Sequence, residues 1–199
     1  MPRQPRRTQA ERSGATTFKL VAAAQELFGR DGYAPTSIEA IAAAAGMTKG
    51  AAYHHFRGKA ALFRSVFVEE QRQIADALRQ AAAREPDSWS ALLRGCRTFL
   101  EHCLNPAFRQ IVLLDGPAVL GWEQVREIEY AHTLRVLTEG MNAAAADGAM
   151  IDGDLPARCQ LIFGALCEAG MLLARSDDPV RALPVVAAEA ERLLGSLAR

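Results

Sequence analysis

The 199-residue chain carries no net charge, no CxxC pair and no run of apolar residues near the roughly 18 that a membrane span requires. It also has no stretch of the strict alternation that marks a half-buried strand. Each lack removes a class. The four cysteines, Cys96, Cys103, Cys159 and Cys167, fall inside apolar helical patterns, where a reduced thiol behaves as a small hydrophobe. A reducing cytoplasm is therefore the expected location. The N-terminal MPRQPRRTQAERSG is charged but leads into no apolar signal core, so an unexported chain is expected. No glycine-rich phosphate loop, zinc-spaced His/Cys set or nucleophile with a base at recognisable spacing is present, so no enzyme activity, cofactor or metal is expected.

Half of the residues are hydrophobic, ample for a core, and the overall neutrality hides an asymmetry. Residues 1–64 hold ten Lys and Arg against four Asp and Glu, whereas residues 65–199 hold thirteen against nineteen. A basic module precedes an acidic body. The chain is expected to divide into a flexible basic arm (1–14), a basic module (15–62) and a larger acidic body (63–199).

Apolar periodicity predicts an all-α fold of about nine helices. Leu20, Ala24, Leu27 and Phe28 share one face of a first helix that ends near Gly32. A second begins at PTSIEAIAAAAG, where Thr36 and Glu39 are spaced as a capping box, and Gly46 supplies the left-handed turn that stops it. Thr48 caps a short third helix with Ala52 and Phe56 inward. A long helix follows from Lys59 to about Arg84, and another carries Trp89, Leu92, Cys96, Phe99 and Cys103. Breaks are expected at NPAF and DGPAVLG, then one helix from Trp122 to about Ala146 with two apolar faces. Two last helices start at Leu155 and near Asp178, the second kinked or delayed by Pro184.

Two short helices joined by a glycine turn in a basic segment describe a helix-turn-helix, whose second helix enters the DNA major groove by its N-terminal residues. Those residues are Thr48, Lys49, Gly50 and Ala51. Gly50 and Ala51 have almost no side chain, so the backbone can approach base edges while Lys49 reaches a base or a phosphate. Tyr53, His54 and His55 lie one turn further on, where they can donate to phosphates, and Lys59 opens the next helix, whose positive end favours phosphate. His54 and His55 point about 100° apart on a helix and do not share an ion easily. Arg3, Arg6, Arg7 and Arg12 form an arm that either follows the minor groove or is simply solvated.

The stretch TSIEAIAAAAGMTKGAAYHHFRGKAALF, preceded by LFGRDGYAPTS, resembles the TetR family of bacterial transcriptional regulators over about Thr16 to Phe67. The resemblance implies that Thr36, Ser37, Thr48, Lys49, Gly50, Ala51, Tyr53, His54, His55 and Lys59 occupy positions that contact operator DNA in relatives. Ala52 stands where relatives have a larger aliphatic residue, and Gly58 where a capping Ser or Asn is common.

For the body, an apolar pocket with a few polar groups is expected, with His132 among Val125, Ile128 and Val136 as its polar member. Phe99, Cys103, Trp122, Tyr130 and Cys167 are further lining residues or plain core. One apolar stripe on the penultimate helix (Cys159, Ile162, Phe163, Leu166, Gly170, Leu173) and one on the last (Val186, Ala190, Leu193, Leu194, Leu197) are expected to pair two copies as a four-helix bundle. The function that follows is a homodimeric repressor bound to a pseudopalindromic operator and released by a largely apolar small molecule. A DNA-binding or architectural protein without an effector is the alternative, separated by whether the body holds a cavity.

Overall fold

The computed structural model describes the backbone of residues 9–199 and the side chains of residues 13–199. Arg3, Arg6 and Arg7 lie outside the described residues, as does the side chain of Arg12. Helix α1 (Gln9–Asp31) begins within the stretch read as arm and buries Leu20, Ala24 and Phe28. Gly32, at φ 82°, stops it. Helices α2 (Ile38–Ala44) and α3 (Lys49–His55) follow, joined at Gly46, whose φ of 69° only glycine adopts without strain. The amide of Gly46 donates to Ala43 O and that of Met47 to Ala42 O, the paired bonds of a Schellman stop.

The capping box expected at Thr36 does not form. Ser37 is the cap of α2 and accepts from the Ala40 amide, while Thr36 is buried and donates to Gly32 O at 2.7 Å. Thr36 thus closes the loop after α1, and Glu39 turns outward to Lys49.

Helix α4 (Lys59–Ala82) runs from the helix-turn-helix into the body and packs with both. At its start, Phe63 packs edge-on against Phe28 at 5.2 Å and Tyr33 at 5.1 Å between ring centroids, contacts worth about 0.5–1.5 kcal/mol each beyond burial. Further along, Phe67, Ile74 and Leu78 enter the body core. Helix α5 (Ser88–His102) packs along α4, capped by Asp87, which accepts from the Ser90 amide.

The break expected within DGPAVLG falls at its last residue, Gly121, rather than at Asp115 or Gly116. Helix α6 (Pro106–Phe108), a π-helical segment (Arg109–Asp115) and α7 (Gly116–Leu120) follow without interruption, and the turn comes only at Gly121, with φ 76°. Two glycines let this stretch sit close to its neighbours. A Cβ on Gly29 would come 2.5 Å from Ala107 Cβ, and one on Gly116 would come 2.6 Å from the Phe67 ring.

The single long helix expected from Trp122 is two, α8 (Trp122–Ala131) and α9 (Thr133–Ala146), broken at His132, whose φ and ψ are −125° and −90°. Helix α10 (Leu155–Ala174) is capped by Asp154 and α11 (Pro179–Gly195) by Asp178. Pro184 lies inside α11 without delaying its start. Contrary to the reading of apolar runs, α10 is long and apolar enough to cross a membrane by length and composition. It packs against α5, α9 and α11, yet only 33% of its most apolar window is buried. Among the described residues there is no strand, only one isolated bridge between Met150 and Ala198. The fold is all-α, a helix-turn-helix followed by a helical body.

Candidate nucleic-acid interface and body cavity

Helix α3 presents one face outward and buries the other. Ala52 is fully buried where α3 packs on α2, so α3 sits low on its support; a larger residue there would lift it. Thr48 caps its start by accepting from the Ala51 amide at 3.2 Å. Lys49, Gly50, Tyr53 and His54 are exposed together, at spacings of one, four and five residues, and Ala51 is half-buried between them. A Cβ at Gly50 would meet nothing nearer than Thr48 Oγ1 at 4.0 Å, so the position is open. The absence of a side chain there is not required by the fold.

The cations of the motif have partners that the sequence reading did not supply. Lys49 Nζ lies 2.6 Å from Glu39 Oε1, and that hydrogen bond raises the Lys49 pKa and lowers that of Glu39. The pair is solvent-exposed and on the outward side, so a phosphate can displace Glu39 from Lys49. His55 is half-buried and shares a 3.2 Å hydrogen bond between its Nδ1 and Thr17 Oγ1. The rings of His54 and His55 are 5.5 Å apart at 83°, diverging as adjacent helical residues do.

Lys59 is placed differently from the phosphate contact expected of it. Its ammonium donates to Tyr33 O at 2.9 Å, Ala34 O at 3.2 Å and Thr36 O at 2.9 Å, so all three protons are used within the chain. The backbone beside it is tied to the body, where Asp115 accepts from the Tyr33 amide at 2.8 Å and from Gln110 Nε2 at 3.0 Å. Lys59 and Thr36 therefore shape the loop that carries α2, and Ser37 is exposed beside them.

The body contains an apolar cavity of about 100 Å³ walled by α4, α5, α9 and α10. Leu78, Leu92, Cys96, Phe99, Leu137, Phe163 and Leu166 supply carbon and sulfur, and Ala82, Ala91, Gly95, Gly140 and Ala143 supply room. Its polar side chains are Ser88 and Thr133. Thr133 is buried and donates to Gln71 Oε1 of α4 at 2.7 Å.

Of the six residues read as pocket lining, Phe99 alone is there. His132 sits at the helix break, half-exposed, its pKa lowered by partial burial and then by Arg79 and Arg72; the break turns the next residue, Thr133, inward instead. Trp122 is 66% exposed and lies 5.0 Å from the Arg126 guanidinium, which also faces the Phe163 ring and pairs with Glu129. Tyr130 is 54% exposed, accepts from Gln160 Nε2, and edges a separate open groove that also carries Arg135 and Glu139. Cys103 and Cys167 are interior thiols, both pushed up to about 12 mainly by burial and thus unreactive.

The stripe expected on α10 faces the chain's own core. Cys159, Phe163, Leu166 and Leu173 are buried, and Ile162 is half-buried. A Cβ on Gly170 would come 3.1 Å from Cys103 Sγ, so this glycine brings α10 close to α5 within one chain. On α11, Leu194 is buried and Val186, Ala190 and Leu197 are half-buried, whereas Leu193 is exposed. The unburied apolar face lies about 100° round α10, at Leu161 (73% exposed), Ala165 and Leu172 (57%), and meets Val185 and Leu193 of α11.

Among the described residues no three His, Cys, Asp or Glu side chains gather as a metal group. Mid-helix Gly95 and Gly140 were the sequence signal for the cavity, since an isolated glycine inside a helical pattern marks a packing need. Glu39, Thr17 and Asp115 had no such signal.

The pattern described as "Bacterial regulatory proteins, tetR family" matches residues 20–66, and the "Tetracyclin repressor-like, C-terminal domain" matches residues 89–197. A TetR-family transcriptional regulator from Pectobacterium atrosepticum superposes with a TM-score of 0.84 at 31% identity, covering 96% of this chain and 98% of that one. The chain is 30% identical to the TetC protein of transposon Tn10 from Escherichia coli over 68% of its own length and 66% of TetC. It is 40% identical to the regulator CymR of Pseudomonas putida over 40% of its own length and 39% of CymR. Between TetC and CymR the aligned stretch thus falls from about two thirds to about two fifths of the relative. With both its helix-turn-helix and its body matched, the chain belongs to the TetR family of bacterial transcriptional regulators and is a DNA-binding regulator of transcription.

Proposed function

We propose that the chain acts as a homodimeric repressor that binds a pseudopalindromic operator and is released by a small molecule held in the body. Residues 15–62 read DNA and residues 63–199 dimerise and bind the effector. The observation that carries this reading is the outward face of α3, where Lys49, Gly50, Tyr53 and His54 stand exposed together with no bulk at Gly50 to hold the helix off the base edges.

The apolar surface that one chain leaves bare at Leu161, Ala165 and Leu172 of α10 and Val185 and Leu193 of α11 supports a two-fold axis there, and a dimer of this kind is expected to present its two α3 helices to successive major grooves. Half-sites about 34–36 Å apart are the geometric consequence. The cavity favours effector control over the effector-independent alternative, because a densely packed body has no place for a ligand. A ligand that prefers the spacing unable to bind DNA lowers operator affinity by its differential affinity for the two states.

The test is selection of bound duplexes from a randomised pool, followed by footprinting and sedimentation of the complex. Two inverted half-sites under one dimer support the reading. A single unrepeated site held by a monomer sinks it.

A further inference from the structure

We infer that the body cavity takes a small, uncharged, single-ring molecule with one hydrogen-bond donor, and that Thr133 is the residue that reads that donor. The inference rests on the effector-responsive reading above and names the chemistry of its ligand.

Charge is excluded first. No ionisable carboxylate, amine, guanidinium or imidazole lines the cavity. An ion entering it would lose its hydration with nothing to replace it, a cost of several kcal/mol or more. The open groove beside Tyr130, with Arg135 and Glu139 on its rim, offers charges but little enclosure. The cavity carries no charged side chain and is the more enclosed of the two.

Size follows from the wall. The space of about 100 Å³ exists because Gly95, Gly140 and three alanines stand where facing helices would otherwise interdigitate larger side chains. A Cβ on Gly95 would meet nothing within 4 Å, and one on Gly140 only Leu92 Cδ1 at 3.4 Å. An apolar cavity of about 150 Å³ in another protein accommodates benzene, so one ring is near the upper limit.

The donor preference comes from Thr133. A hydroxyl has one proton to give, and Thr133 gives it to Gln71 Oε1 at 2.7 Å. What remains on Thr133 Oγ1 is acceptor capacity, in a wall otherwise of carbon and sulfur apart from Ser88. A ligand hydroxyl or N–H satisfies it; a ligand carbonyl does not.

The experiment is calorimetry of the full-length protein, without DNA, against benzene, phenol, benzoate and benzylammonium. Phenol is expected to bind about two- to thirteenfold more tightly than benzene, the range of one net hydrogen bond, and neither ion to bind measurably. Thr133→Val should bring phenol and benzene to equal affinity, while Thr133→Ser keeps the preference. Gly95→Leu should fill the space and abolish binding of both; if it fails to fold, Gly95→Ala must still weaken both, since its methyl enters open space. Comparable binding of either ion, no binding of phenol, or a phenol preference that survives Thr133→Val overturns the inference. Operator affinity is measured separately with phenol present. If phenol binds as described and operator affinity does not move, the ligand chemistry stands and the effector-responsive reading falls.

Discussion

The Lys59 ammonium lies 4.1 Å from the centroid of the Tyr33 ring while donating to the carbonyl of the same residue at 2.9 Å. Together with the Ala34 and Thr36 carbonyls, this makes a cage that fastens the loop before α2 to the start of α4. Lys59→Ala is therefore expected to destabilise the protein by roughly 1.5–3 kcal/mol, the range for hydrogen bonds to a charged group. It should leave the salt dependence of DNA binding unchanged, whereas a lost phosphate contact lowers the slope by about 0.9. Denaturation and a salt titration of operator affinity decide between the two roles.

Gly50→Leu should abolish operator binding without harming the fold. The Cβ has free space, and replacing a helical glycine contributes about 0.5–1 kcal/mol of stability. Melting at or above the parent temperature, with no operator shift, is the expected pair of results. Retained affinity would mean that α3 does not approach the bases at this point.

Leu161→Glu combined with Leu172→Glu should give a folded monomer by sedimentation, because both side chains are exposed and their charges stay hydrated. Leu166→Glu, on the buried face of the same helix, should instead unfold the chain, since it puts an unpaired carboxylate between core and cavity. A dimer that persists in the double variant places the interface elsewhere.

Glu70 is buried and accepts from Gln25 Nε2 at 2.8 Å, and burial raises its pKa above the ordinary carboxylate value of 4.5. The folded state thus holds this proton to higher pH than the unfolded state does. Stability falls as pH rises through that window and stays lower above it. Glu70→Gln keeps an acceptor for Gln25 and removes the ionisation, so it should raise the melting temperature at pH 7 and leave it unchanged below about pH 4. Equal melting of the two proteins at both pH values would contradict the assignment.

The helix-turn-helix was legible because its signals are local: Gly46 for the turn, Thr48 for the cap, and the small residues Gly50 and Ala51 at the start of α3. The cage around Lys59 was not legible because a lysine at a helix start reads the same whether it faces a phosphate or carbonyls of residues 23–26 positions earlier. The α10 face was misassigned for another reason. That helix is apolar nearly all round, so periodicity could not separate the stripe of Cys159, Phe163, Leu166 and Leu173 from that of Leu161, Ala165 and Leu172. At His132, neither proline nor glycine marks the break, and the turn inward of Thr133 rather than His132 follows from it.

The close seating of Gly116 on Phe67 makes an unequal see-saw of α4. Phe67 is pinned by a contact that admits no extra atom, and it stands eight residues after Lys59 and eleven before Leu78. At 1.5 Å per residue the arm toward the operator is about 12 Å and the arm toward the cavity about 16 Å. A tilt of α4 about this fulcrum carries its two ends in opposite directions, and the DNA end travels about three quarters as far as the ligand end. On the effector-responsive reading proposed above, effector potency should therefore track how far a molecule displaces Leu78 as well as how tightly it binds.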